Sequence, residues 1–313
     1  MTSTTGTHTL NTVRGMLIGT AEVVPGISGG TVALITGVYE DLVTSAGHVV
    51  TGIKNAAADL VRGRGFGRAA AEFRRADWGV VAAVLAGMVA AVLVAARLVA
   101  PVVEANPVHS YAFFFGLVLA SLWVPYSSSG RRWRAGHYVV ALAVAVVAFL
   151  LSGVPPTDVQ PTPPVVMGAA AVAVCALVMP GLSGSFILLT FGLYTTTMAA
   201  LNDRDLGYIA TFAAGAVLGL AFFVKLLQWL LERHHHPTMV VMTGLMLGSL
   251  RALWPWQDDD RGLLAPGAAA APAIGLALLG AAAVVAIIAV EHRIKIRSTP
   301  PPPTHGRHRA SQR

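Results

Sequence analysis

Long apolar blocks alternate with short polar ones along the chain. Residues 1–10 are polar and Thr-rich and are expected to form a disordered tail. Residues 11–23 are apolar but too short to span, Pro25-Gly26 breaks the run, and a second apolar stretch covers 27–47. A basic loop is expected over 48–77, carrying Lys54, Arg62, Arg64, Arg68, Arg74 and Arg75. Three ordinary spans follow, at about 78–99, 108–125 and 137–153. Residues 154–164 form a Pro-rich linker without Lys or Arg. The pattern then returns, with a broken pair at 165–179 and 182–200 and three spans at about 207–231, 238–254 and 271–291. The tail 292–313 is basic, then Pro-rich, and is expected to be disordered. Apolar runs of about 17–25 residues can cross a bilayer core. The fold class is therefore an all-α polytopic membrane protein.

One stretch occurs twice. Residues 24–40 read VPGISGGTVALITGVYE and residues 179–195 read MPGLSGSFILLTFGLYT, at a constant offset of 155. Both hold Pro-Gly-apolar-Ser-Gly, then an apolar run, then Gly-apolar-Tyr. A second echo pairs GLVLASL at 116–122 with GLMLGSL at 244–250. Register and chemistry agree, which marks an internal duplication. Each half reads as a re-entrant helical hairpin plus three transmembrane helices, over 11–153 and 165–291. A hairpin returns the chain to its starting side and three spans carry it across, so the second copy is expected upside down, an inverted-topology repeat. Charge tests this separately. The segments 48–77, 126–136, 232–237 and 292–313 hold sixteen Lys or Arg, whereas 100–107, 154–164, 201–206 and 255–270 hold two. The positive-inside rule then puts both termini in the cytoplasm. It does not separate a re-entrant hairpin from two full crossings.

Composition narrows the classes. Hydrophobic residues make up 55% and charged residues 12%, with mean hydropathy +0.66, against about 25% charged in soluble domains. A net charge of +7 would suggest nucleic acid in a soluble chain. Here Arg-rich cytoplasmic loops account for it, and no nucleic-acid partner is expected. Cys175 is the single cysteine and reads as a small buried hydrophobe. A cleaved leader is not expected, because the apolar stretch after Arg14 is short and interrupted by Glu22. The chain has no P-loop or HExxH pattern, so a nucleotide-driven pump is not supported, an ordinary hydrolase is not expected, and no cofactor is called for. His234, His235 and His236 read as a solvated loop rather than a metal site.

The repeated motif carries the candidate chemistry. A helix beginning after Pro25-Gly26 points the free N–H groups of Ser28, Gly29, Gly30 and Thr31 at the hairpin tip, where they and the helix dipole favour an anion. Pro180, Gly181, Ser183, Gly184 and Ser185 supply the second copy from the other face. Gly/Pro-interrupted segments at matching places of inverted repeats point to a transporter's midplane site, so two such tips make a phosphate or carboxylate cradle. The plainer alternative is that Pro-Gly kinks the helices and Ser28 and Ser183 cap them. Glu22, a carboxylate in an apolar run, is a proton carrier or cation partner, or else a structural ion pair. Its counterpart is Leu177. Arg251 is a candidate anion partner, Lys225 and Arg97 can snorkel, and Arg14 marks the cytoplasmic boundary. Tyr39 and Tyr194 read as helix ends and interfacial anchors.

The segments AEVVPGISGGTVALITGVYEDLV (21–43) and MPGLSGSFILLTFGLYTTTM (179–198) resemble the DUF368 family of bacterial membrane proteins. The likeness runs from about residue 11 to 291. It implies a polyprenyl-phosphate transporter that returns undecaprenyl phosphate, the lipid carrier of cell-wall synthesis, across the bacterial cytoplasmic membrane. Its partners would be that lipid and the bilayer. The family usually has Asp where this chain has Glu22. Undecaprenyl-pyrophosphate phosphatases are a weaker likeness, sharing Glu-x-x-Pro-x-x-Ser at Glu22, Pro25 and Ser28. Their Ser-Thr-Gly-His element and the Arg beside their second Ser are missing here, which disfavours hydrolysis. A secondary transporter for a small water-soluble anion is the other alternative. Neither the coupling ion nor the oligomeric state can be read from the sequence.

Overall fold

A computed structural model describes residues 4–22, 28–63, 65–155, 159–258, 260–267 and 270–298. Among them the regular structure is helical, apart from an isolated bridge between Gln257 and Leu263. The first half runs α1 (Thr4–Glu22), α2 (Gly29–Ile35), α3 (Tyr39–Val61), α4 (Gly67–Arg75), α5 (Trp78–Ala105), α6 (Pro107–Ser121), α7 (Trp123–Ser128) and α8 (Ala135–Ser152). The second runs α9 (Pro163–Val178), α10 (Gly184–Thr190), α11 (Tyr194–Asn202), α12 (Leu206–Arg233), α13 (His235–Ser249), a 3-10 turn (Leu250–Leu253) and α14 (Ala270–Ser298).

Five stretches are long and apolar enough to cross a bilayer: Trp78–Val103, Pro107–Ser128, Ala135–Ser152, Leu206–Arg233 and Ala270–Glu291. The protein is thus a multi-pass membrane protein. The expected span at 238–254 is the fifteen-residue α13 plus its 3-10 turn, and it lies in the middle of the core. Met239, Met242 and Met246 are buried there with Ile18, Leu34, Val38, Val118 and Leu227. Outward rows such as Leu85, Val89 and Leu93 on α5, or Leu142, Val146 and Leu150 on α8, are exposed as a lipid-facing surface requires.

The most extensive interfaces pair α1 with α5, α9 with α12, α6 with α14 and α8 with α13. Small residues one turn apart permit this close approach. A Cβ at Gly15 or Gly19 would collide with the α5 backbone at Val84 or Met88, and one at Gly244 or Gly248 with α8 at Ala141 or Ala145.

Several sequence expectations are corrected. Residues 4–10 belong to α1, and α14 runs through the start of the expected tail to Ser298. The basic loop contains the end of α3 and all of α4. The apolar stretches 27–47 and 182–200 are each two helices. Gly37 (φ +74) and Gly192 (φ +69) end α2 and α10. Val38 N–H bonds Ala33 O at 3.1 Å and Leu193 N–H bonds Leu188 O at 2.9 Å, the six-to-one closure of a glycine helix stop. The bend between α10 and α11 is 106°. Tyr39 and Tyr194 therefore begin helices rather than end them, and Tyr39 is 3% exposed, which rules it out as an interfacial anchor.

Candidate functional site

The two motif copies meet. α1 stops at Glu22, Pro25 and Gly26 lie outside the described residues, and α2 restarts after Ser28, whose backbone is extended (φ −106, ψ 124). The Ser28 hydroxyl does not cap α2; it donates across the molecule to Met179 O at 2.9 Å. Tyr39 OH donates to Val178 O at 3.1 Å. Carbonyls at a helix C-terminus have no partner within the helix, and side chains of the first half satisfy those of α9. In return Gly181 N–H donates to Thr31 Oγ1 at 2.9 Å. Gly181 is left-handed (φ +88), and a Cβ there would be 2.7 Å from Met246 Cα. Glycine is required on both counts.

Ser28 and Thr31 are 2% and 0% exposed. Their hydroxyls hold the two tips together. In the second copy Ser183 is the extended N-cap of α10 and its hydroxyl bonds that of Ser185 at 2.9 Å. The first N–H groups of α10, from Gly184 onward, have no carbonyl to bond within the helix. Pro180 is buried beside them.

Glu22 turns back across the break, and its Oε1 accepts the Gly29 N–H at 2.8 Å. A Cβ at Gly29 would overlap that carboxylate, while the matching Gly184 faces Leu177 Cβ at 3.4 Å. Glu22 and Leu177 line one cavity of about 200 Å³ with Gly30, Tyr39, Met88 and Val224. Glu22 is the charged member of an otherwise apolar lining. Its walls are chemically suited to a hydrocarbon chain.

Arg251 is not at the tips. Its guanidinium lies over Phe149 at 4.7 Å, packs on Gly153, and donates to Arg261 O at 3.4 Å. Lys225 is committed to Gln228 Oε1 at 2.6 Å and Gly47 O at 3.3 Å. Arg97 is exposed on α5, and Arg14 pairs with Glu291 and Asn11. His236 contacts Ser129 O and His137, His235 contacts Glu40, and no metal-binding cluster occurs among the described residues. Tyr39 is the tip residue that sequence reasoning misplaced. Its fixed spacing after the motif glycine was the available signal.

A family described as undecaprenyl phosphate translocase-like matches residues 18–267. A polyprenyl-phosphate transporter of Vibrio cholerae serotype O1 is 33% identical over 246 residues, covering 79% of this chain and 77% of that protein. A polyprenyl-phosphate transporter of Staphylococcus aureus is 26% identical over 268 residues, covering 79% and 86%. No solved structure matches the chain significantly. With the family match spanning both motif copies and the helices that hold them, the chain belongs to the undecaprenyl phosphate translocase-like family.

Proposed function

We propose that this protein is a transporter, not an enzyme, that moves a polyprenyl phosphate, undecaprenyl phosphate in particular, across the bacterial cytoplasmic membrane to recycle the carrier lipid of cell-wall synthesis. The observation that carries the reading is the direct meeting of the two motif copies beside an apolar cleft. The headgroup sits at the crossing of the tips, near Glu22, Ser28, Gly29, Gly30 and Thr31 from one side and Pro180, Gly181, Ser183, Gly184 and Ser185 from the other. Pro25 and Gly26 complete the first tip by sequence. The prenyl tail stays in lipid, and Glu22 exchanges the coupling proton. Family membership and the polyprenyl-phosphate transporters among its relatives support this substrate class.

The two halves are inverted repeats that expose the site alternately, with both termini cytoplasmic. Packing supports the repeat. In each half the first hairpin helix packs on the first long helix, α1 on α5 and α9 on α12. The second and third spans exchange partners between halves, α6 with α14 and α13 with α8. The turn after α2 is met by His235 through Glu40, and the turn after α10 by Arg261 through Thr190. Those two contacts come from loops on opposite sides of the charge division, as inversion requires.

The test is flipping of a fluorescent polyprenyl phosphate in proteoliposomes, read as label that becomes accessible to a membrane-impermeant quencher. Protein-containing vesicles should expose the second leaflet's label, and a rate equal to that of empty vesicles would sink the reading.

A further inference from the structure

A second site lies away from the tips. Residues 254–264 fold back on themselves: Gln257 bridges Leu263, Trp254 Nε1 donates to Leu264 O at 3.0 Å, and Leu264 N–H donates to Trp256 O at 2.8 Å. At the turn Arg261 adopts φ +61, a conformation rare for a residue with a Cβ. The turn directs its guanidinium inward. Nη1 donates to Val154 O at 2.9 Å and Thr190 Oγ1 at 3.0 Å, and the guanidinium carbon lies 4.2 Å from the centre of the Phe186 ring. Burial pulls its pKa below the ordinary arginine value.

Beside it is a cavity of about 350 Å³ lined by Tyr111, Phe186, Trp254, Gln257, Asp258 and Arg261. Two charged groups line it, Arg261 and Asp258, and a third lies behind. Arg251 stands behind Arg261, bonded to its carbonyl, and its Nε is buried with no hydrogen-bond partner among the described residues. Asp258 is the single acid in the lining, and its Oδ1 is committed to the Gly262 N–H at 2.6 Å. Within the lining Arg261 is balanced by Asp258, Arg251 behind them adds a positive charge, and neither arginine belongs to an ion pair among the described residues. Arg261 is also one of two Lys or Arg, with Arg204, in the segments on the charge-poor side.

We propose that this cavity is a receiving site for a phosphate monoester, with Arg261 as the charge partner. Phe186, Trp254 and Tyr111 flank the first isoprene units of its chain. The inference rests on the transport reading and adds a station to it. The fork of a guanidinium suits phosphate oxygens better than a point charge does, and the volume fits a headgroup with the start of a chain. α10 links the two places: Phe186 and Leu189 line the cavity, and Ser185 at the tip is the neighbour of Phe186. An anion received here is therefore one helical turn from the second tip.

Binding to the purified full chain tests this, with geranyl phosphate and inorganic phosphate as probes. Geranyl phosphate should bind the wild type, and Arg261→Gln should weaken it by about tenfold or more, the loss of a charge-assisted hydrogen bond. Arg261→Lys should recover part of that loss. Thr190→Val, which removes the staple and the hydroxyl's own bond to Phe186 O within α10 but keeps the guanidinium, should stay within about twofold. Equal binding by wild type and Arg261→Gln overturns the site and leaves the transport reading standing. Equal losses in Thr190→Val and Arg261→Gln reduce Arg261 to a staple and also overturn it. A wild type that binds neither probe overturns both readings. Inorganic phosphate binding as tightly as geranyl phosphate, through Arg261, would make this a site for a free anion and refute the lipid assignment.

Discussion

Glu22 joins two roles that are usually separate. Its carboxylate closes the break between α1 and α2 by accepting the Gly29 N–H at 2.8 Å, and it is the charged group of an apolar cleft. Glu22→Gln preserves length and an acceptor for Gly29 while removing proton exchange. If Glu22 couples transport, the variant should insert and fold normally yet flip polyprenyl phosphate about tenfold or more slowly, with a flattened pH profile. Wild-type rates with an unchanged pH profile would leave Glu22 a structural acceptor. Ser28 has the opposite assignment, because its hydroxyl is spent on Met179 O inside the protein. Ser28→Ala should therefore act on stability, lowering it by about 1–3 kcal/mol through the unsatisfied buried carbonyl. Thermal unfolding in detergent reads this directly. A variant as stable as wild type but defective in lipid binding would return the hydroxyl to the ligand.

At the scale of elements, the seven-residue helices α2 and α10 are the units on which the candidate site is built. Six residues of α2 are buried, so its position is fixed by packing rather than by its own hydrogen bonds. Both helices end at a left-handed glycine, and a Cβ in that conformation costs about 1–2 kcal/mol. Gly37→Ala and Gly192→Ala should each destabilise by about that amount, and under the repeat reading they should slow transport alike. A large effect from only one would mean that the hairpins have diverged in function, and circular dichroism melts with flipping rates on both variants decide it. These stops were present in the sequence as Gly-apolar-Tyr, but the largely apolar character of 27–47 and 182–200 hid them. Periodicity cannot divide a helix whose every face is apolar. The Pro-Gly-apolar-Ser-Gly half of the motif was legible because its residues have few other uses in a membrane. What was not legible was the partner of each hydroxyl. Ser28 meets Met179 across 151 positions, and nothing local to either residue records that. Arg261 escaped sequence reading for a related cause: its direction is set by a folded loop, not by a span.

Across the whole molecule the exchanged interfaces tie the halves together. α6 is held by α14 and α13 by α8, so neither half can bury the glycine-lined faces of these helices alone. Arg14 on α1 and Glu291 on α14 add a charged contact between the first and last helices. An arrangement so interlocked leaves only two choices for the second half, parallel to the first or inverted. The charge division favours inversion: sixteen Lys or Arg on one set of segments against two on the other is what insertion with the basic side retained produces. The prediction is made on a Cys175→Ser background, because Cys175 is the only native thiol. A cysteine at Asp260, exposed in the loop that carries Arg261, should react with an impermeant maleimide on intact cells. A cysteine at Ala70, exposed on α4, should react only after the membrane is opened. Labelling of both positions from outside would refute the inverted arrangement, since these loops would then share a side. Labelling of Ala70 alone would keep the inversion but reverse the protein in the membrane, moving the Arg261 cavity to the cytoplasmic leaflet. The receiving site proposed there would then load lipid from within, opposite to the direction that recycling of the carrier needs.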